Sequence, residues 1–347
     1  MAQKEIVKEI PWSLASAWNI AAKKDNRPLV PRNYLYASEL GSPMVDVWLK
    51  MKAMPYTNPP NDRSLRKFLM GNIVEHVVTI ILAATGVYKA SEIKVDSQIK
   101  GMLSVHGRLD FIAGGHVDKD KAMQVLQTLL LPDFLITVAE RIINELAGKT
   151  MKETILELKS CSSYAFEVVE KRKRPMPNHA LQGFHYQFNK GIPADIAYIS
   201  KDSCLMAQFH INEEETKPLY LDYIKQMTNF VKKNVQPPLE PLAKFDETTG
   251  NFTKNFGVEY SPYLTLLYGF GSPDDYRDAV GFIIRWNRAV GRFAQVVLGH
   301  LTPTGKVMAI TPKNLEVKNE IIKAGFNFDH ILQCKIIAGI GENSEEE

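Results

Sequence analysis

Between residues 62 and 85 apolar side chains return every three or four positions, at Leu65, Phe68, Leu69, Ile73, Val77, Ile80 and Ile81. That period predicts a long helix with these residues on its core face, capped by Asp62 or Ser64 and ended by Gly86. His76 falls inside it. From 93 to 113 the period drops to two, which predicts two strands turning at Lys100 and Gly101. Val105, Leu109 and Phe111 then share one face, and His106, Arg108 and Asp110 the other. A charged loop is expected at 118–121, then a helix over 133–146 closed by Gly148, so that 116–150 reads as a helical insertion. Residues 154–160 form a short strand, in which Glu157 and Lys159, two apart, must share a face.

Asn178 is placed to cap a helix through Asn189, in which Gln182 and Tyr186, four apart, lie one above the other. Strands at 195–200 and 205–211 and an amphipathic helix from 217 to about 235 follow. Pro237, Pro238 and Pro241 and the polar run after them predict a linker or extended loop over 236–256. Ser272 and Pro273 then open a helix that runs past Phe282, Ile283, Trp286, Val290 and Phe293. Residues 342–347 form an acidic tail. Helix, strands, helix, strands is the order of a mixed α/β fold: a central mixed sheet flanked by helices. The expected organisation is an extension at 1–33, a core at 34–235 carrying the insertion, and a C-terminal accessory region at 236–341.

Composition changes this picture little. At 45% hydrophobic and 23% charged the chain can bury a substantial core, and a net charge of only +3 means that any basic surface is local. Three scattered cysteines, Cys161, Cys204 and Cys334, form no paired motif for zinc and no disulfide framework. Charges interrupt the apolar residues of the first segment and of every later one, so the expected setting is the cytoplasm, bacterial or phage-infected, without membrane association. Gly299 to Lys306 misses the spacing of a phosphate-binding loop by one residue, and Val307 stands where Ser or Thr is needed.

The residues that change the reading are charged ones at strand positions. Asp110 and Glu157, on neighbouring strands, make a minimal oxygen ligand set for a hard divalent cation. Lys159, beside Glu157, can orient or deprotonate an attacking water and offset negative charge. Together they suit phosphodiester hydrolysis, which needs an in-line water and a neutralised phosphoryl group. The apolar neighbours Ile155, Leu156 and Leu158 mark a buried strand, where an idle charge would be costly.

Four motifs stand in order: Gly71-Asn-Ile-Val-Glu-His76, Gly107-Arg-Leu-Asp110, Glu157-Leu-Lys159 and Gln182-Gly-Phe-His-Tyr186, after an opening Tyr36-Ala-Ser-Glu-Leu-Gly41. Over about 34–212 the chain resembles the PD-(D/E)XK nuclease superfamily and its RecB-like exonuclease branch. The resemblance implies a restriction-endonuclease-like core and a magnesium- or manganese-dependent deoxyribonuclease. It implies His76, Asp110, Glu157 and the Leu158 carbonyl as metal ligands, Lys159 as the catalytic lysine, and Gln182 and Tyr186 as positioners of the DNA strand and the water. Relatives that hold an iron–sulfur cluster use four cysteines, so none is expected here.

Lys171, Arg172, Lys173 and Arg174, and the helical stripe Arg285, Arg288 and Arg292, are candidate contacts to DNA phosphates. The resemblance favours an exonuclease in recombination, repair or phage DNA processing, with a recombination or replication protein as a further partner. The alternatives are a structure-specific or restriction-type endonuclease and a non-catalytic DNA-binding or assembly subunit that kept the fold.

Overall fold

The structure, a computed structural model, describes residues 13–22, 29–128, 131–246, 251–278 and 280. Along the chain, α1 (Leu14–Ala22) precedes β1 (Leu35–Tyr36), a 3-10 turn (Ala37–Glu39) and α2 (Met44–Met51). Next come α3 (Asp62–Ala84), β2 (Tyr88–Ser97), β3 (Val105–His116), α4 (Lys119–Thr128), α5 (Asp133–Leu146) and β4 (Thr150–Cys161). After these stand α6 (Ser163–Arg172), α7 (Pro177–Lys190), β5 (Ala194–Ser200), β6 (Met206–His210) and α8 (Glu213–Lys233). The hairpin β7 (Ala243–Asp246) and β8 (Asn251–Lys254) and two short helices, α9 (Phe256–Glu259) and α10 (Leu264–Tyr268), follow.

The fold is mixed α/β, in two compact units. One contains 1–28, 60–96 and 107–217. In it β3 pairs with β2 on one side and antiparallel with β4 on the other; β4 runs parallel to β5, and β5 antiparallel to β6. The helices α3, α6 and α7 pack on β4 and β5. Ile155, Ile196, Phe166 and Phe184, each no more than 2% exposed, are apolar residues buried in this unit, each contributing about 1.5–3 kcal/mol. Gly183 of α7 lets the helix lie close to the sheet: a Cβ there would meet Ile211 and Ile196.

The helical insertion is a pair rather than a loop and one helix. Residues 118–121, read as a charged loop, begin α4: Asp118 accepts the Lys121 N–H, and Ala122 and Leu126 turn inward one turn apart. Their charged neighbours stay wet, which is why composition alone suggested a loop. Ala122 and Leu126 meet Ala139 and Ile143 of α5 and Ala84 at the end of α3 in one cluster.

The expected core face of α3 is only partly one. Phe68 is 60% exposed, and Ile73 and Val77 are each 42% exposed; Ala84 is its buried residue. By length and composition α3 is apolar enough to cross a membrane, and α1 packs along it. Its cap is Asn61, one residue before the expected Asp62. The cap of α7 is Met176 rather than Asn178, because Pro177 fits the first helical turn and holds the preceding residue extended. Pattern reading passed over α6, whose last turn carries Lys171 and Arg172 where the helix dipole favours cations.

The other unit contains 29–59, 97–106 and 218–347. Here Leu35 and Tyr36 pair in parallel with Val105 and His106. Its core gathers Val45, Leu49, Leu242, Val258, Tyr263, Leu267 and Tyr276. The stretch read as a linker holds the paired strands β7 and β8, with Asp246 opposite Asn251. The helix from Ser272 is present over 273–278, with the Ser272 hydroxyl accepting the Asp275 N–H. Its expected continuation past Phe282, with Arg285, Arg288 and Arg292, lies outside the described residues.

Candidate active site

The alternation of β4 puts Glu157 and Lys159 on one side of the sheet, and α7 packs over that side. The Lys159 ammonium lies 2.7 Å from Glu157 Oε1 and 2.9 Å from Gln182 Oε1. One turn on, the Gln182 amide donates to the Tyr186 hydroxyl at 3.3 Å, and that hydroxyl donates to the Arg108 carbonyl at 3.0 Å. A single polar chain thus runs from Glu157 through Lys159, Gln182 and Tyr186 to the backbone of β3. Each link fixes the rotamer of the next, so the ammonium is held in place rather than left on a mobile stem.

Asp110 joins from β3. Phe111 is paired with Leu156 across the antiparallel ladder, and one step further Asp110 stands opposite Glu157. There its side chain, not a backbone carbonyl, takes the Leu158 N–H, at 2.8 Å. The Leu158 backbone that the resemblance implied as a ligand is thereby tied to the Asp110 carboxylate.

Three further observations describe the charge in this site. Glu157 is 1% exposed, and its second oxygen, Oε2, has no hydrogen-bond partner among the described residues. Burial and then the Glu157 charge push the Asp110 carboxyl up to about 7, against the pull of Lys159 and of the Leu158 N–H. Burial also raises Glu157, with Lys159 opposing it.

Sequence reading missed two acids. Glu75 of α3 and Glu92 of β2 each place a carboxylate oxygen within 4.8 Å of Asp110 and of each other. Burial, Asp110 and Glu92 all raise the Glu75 carboxyl. His76, the expected ligand, is exposed and is not among them. Only the packed structure sets the phase of this helix. Gly71 lies where α3 comes close to β4, a Cβ there falling 3.1 Å from Ser160 Oγ; the residue one turn later on that face is Glu75, with His76 rotated away. Glu92 carried no signal either, for it sits in a left-handed conformation, φ +56, and pairs with the Arg108 guanidinium.

The donors suit a hard divalent cation. All are carboxylate oxygens, Glu157 Oε2 is an acceptor without a partner among the described residues, and carboxyls raised by burial and by one another are relieved by positive charge. Lys171, Arg172, Lys173 and Arg174 are all exposed; Lys171 comes within 4.0 Å of Glu167. Cys161 and Cys204 are free thiols, and Cys334 lies outside the described residues.

No family model and no curated protein matches the chain. Among solved structures, that of SSO0001 aligns over 62% of this chain and 87% of its own at 13% identity, with a TM-score of 0.38. An alkaline exonuclease from Laribacter hongkongensis aligns over 63% of this chain and 97% of its own, at 10% identity and a TM-score of 0.30. The same exonuclease in complex with dAMP gives 12% and 0.34 over the same shares. Likeness this remote carries no weight for fold or activity.

Proposed function

We propose that the chain is a divalent-cation-dependent nuclease that hydrolyses DNA phosphodiester bonds. The observation that carries this is the meeting of Asp110, Glu157 and Lys159 at one place, with a buried oxygen on Glu157 that has no partner among the described residues. Asp110 and Glu157 are the ligands for magnesium or manganese, and Glu75 and Glu92 extend the oxygen set around Asp110. The bound cation supplies charge neutralisation at the phosphoryl oxygens. Lys159, steadied by Gln182, orients the attacking water and balances the charge that grows on the phosphate. Gln182 and Tyr186 keep that lysine and β3 in register with each other. The ordered motifs favour exonuclease action on DNA ends, in recombination, repair or phage DNA processing.

End-labelled linear DNA and covalently closed circular DNA, each incubated with the full chain in magnesium or in chelator, test this. Magnesium-dependent loss of linear DNA alone is the expected result. Cutting of the closed circle identifies an endonuclease, and binding without cleavage identifies a non-catalytic subunit.

The crowded acids give a second prediction. In the folded chain Asp110 keeps its proton up to about pH 7, whereas an ordinary aspartate loses it near 3.8. Its folded value is raised, so its contribution to stability is complete below about pH 4 and is lost as pH climbs through 7. A divalent cation competes with that proton. Magnesium at a hundred times its Kd should therefore stabilise the chain by about 2.7 kcal/mol at pH 8 and by much less at pH 5. Thermal unfolding at both pH values, with magnesium and with chelator, checks this, and equal midpoints at pH 8 rule out a cation at these acids.

A further inference from the structure

The helix that covers the site carries a third side chain on its working face. His179, Gln182 and Tyr186 are spaced three and four apart, so they project from α7 on the same side. His179 Nδ1 lies 2.8 Å from the Tyr198 hydroxyl, and the same hydroxyl receives the Met176 backbone N–H at 2.9 Å. Tyr198 is 1% exposed and pairs in parallel register with Lys159, which puts both side chains on one side of the sheet.

With its oxygen accepting from Met176, the Tyr198 phenol still has its one hydrogen to give, and we assign that hydrogen to Nδ1. Nδ1 is then the bare nitrogen, and a neutral imidazole carries its proton on Nε2. The ring does stay neutral, since burial and the nearby Lys159 ammonium push its pKa down to about 3. Nε2–H has no protein partner among the described residues, and the residue is only partly buried, so a donor is held fixed beside Lys159 with nothing in the fold to receive it.

We infer that His179 is a substrate-binding residue whose Nε2–H, aligned by Tyr198, donates to a non-bridging oxygen of the phosphodiester next to Lys159. This rests on the nuclease reading above. A neutral donor suits that place: it recognises the phosphate without adding a second full charge to repel Lys159.

The test uses the full chain with His179→Ala, His179→Gln and Tyr198→Phe. A hydrogen bond to a charged oxygen corresponds to about a tenfold to hundredfold effect. His179→Ala is expected to raise KM for an oligonucleotide by that factor with a smaller change in kcat. His179→Gln, whose amide nitrogen reaches about where Nε2 stood, should recover most of the loss, and Tyr198→Phe should fall between the two. An unchanged KM in His179→Ala overturns the inference, as does a defect in His179→Gln as large as in the alanine variant and matched by a lowered unfolding midpoint.

Binding of the same oligonucleotide in chelator, followed by fluorescence anisotropy, separates this from failure of the nuclease reading. If the wild-type chain cleaves nothing but His179→Ala weakens binding tenfold, the donor role stands while hydrolysis falls. If His179→Ala binds as well as wild type, the donor role is gone whether or not the chain cleaves.

Discussion

Glu157→Ala and Lys159→Ala are both expected to abolish magnesium-dependent loss of linear DNA, by on the order of a thousandfold or more, while shifting stability in opposite directions. Glu157 is a buried carboxylate with one oxygen unpartnered among the described residues, and its ionised form is disfavoured by burial. Removing it takes away an unfavourable charge and leaves Lys159 with Gln182, so the cation-free chain should be as stable as wild type or more so. Removing Lys159 leaves Glu157 and Asp110 facing each other uncompensated, and the chain should lose stability at pH 8. Urea unfolding beside the cleavage assay reads both. Cleavage that survives either substitution removes the proposed hydrolysis; equal destabilisation by both would mean that the pair is only a structural bridge.

The second large effect concerns Gly114→Ala. The register of β3 on β4 shifts between Ala113 and Gly115, so Gly114 sits in a bulge with φ +143. A Cβ there would fall 2.6 Å from Glu153 Cα, and 2.8 Å from both Glu153 N and the Lys152 carbonyl oxygen. Those atoms are backbone of the strand that carries Glu157, and they cannot swing aside as a side-chain end could. The combined strain and overlap should cost about 3–5 kcal/mol, seen as a fall of roughly 6–20 °C in the unfolding midpoint at about 2–4 °C per kcal/mol. Gly101→Ala is the control. It also has positive φ, +81, but nothing within 4 Å, so it should cost only about 1–2 kcal/mol. Equal losses at the two positions would show that conformation alone, and not the close approach of the strands, sets the requirement for glycine at 114.

How much of this the sequence carried depended on whether a residue's role follows from local period. Glu157 and Lys159 share a face because a strand alternates, and Gln182 and Tyr186 stack because a helix repeats in just under four; those relations were legible before any fold was known. The choice between Glu75 and His76 was not, since both lie in one helical turn and only the approach of Gly71 to Ser160 shows which of them turns toward Asp110. Glu92 depends on a left-handed backbone turn, and His179 on a tyrosine from a strand whose partner is set by tertiary pairing. Helix α4 was hidden by its own solvated charges, and the β7–β8 pair by prolines and a polar sequence that resemble a linker.

The carboxylate of Asp110 occupies the rung where a backbone carbonyl would ordinarily close the ladder to Leu158. The Leu158 amide proton therefore leans on the very oxygen pair that a cation would claim, and its resonance is a built-in gauge of occupancy. Titrating magnesium should move that one backbone peak early and strongly, while the amides of Ile155 and Leu156, lower on the same strand, stay where they are.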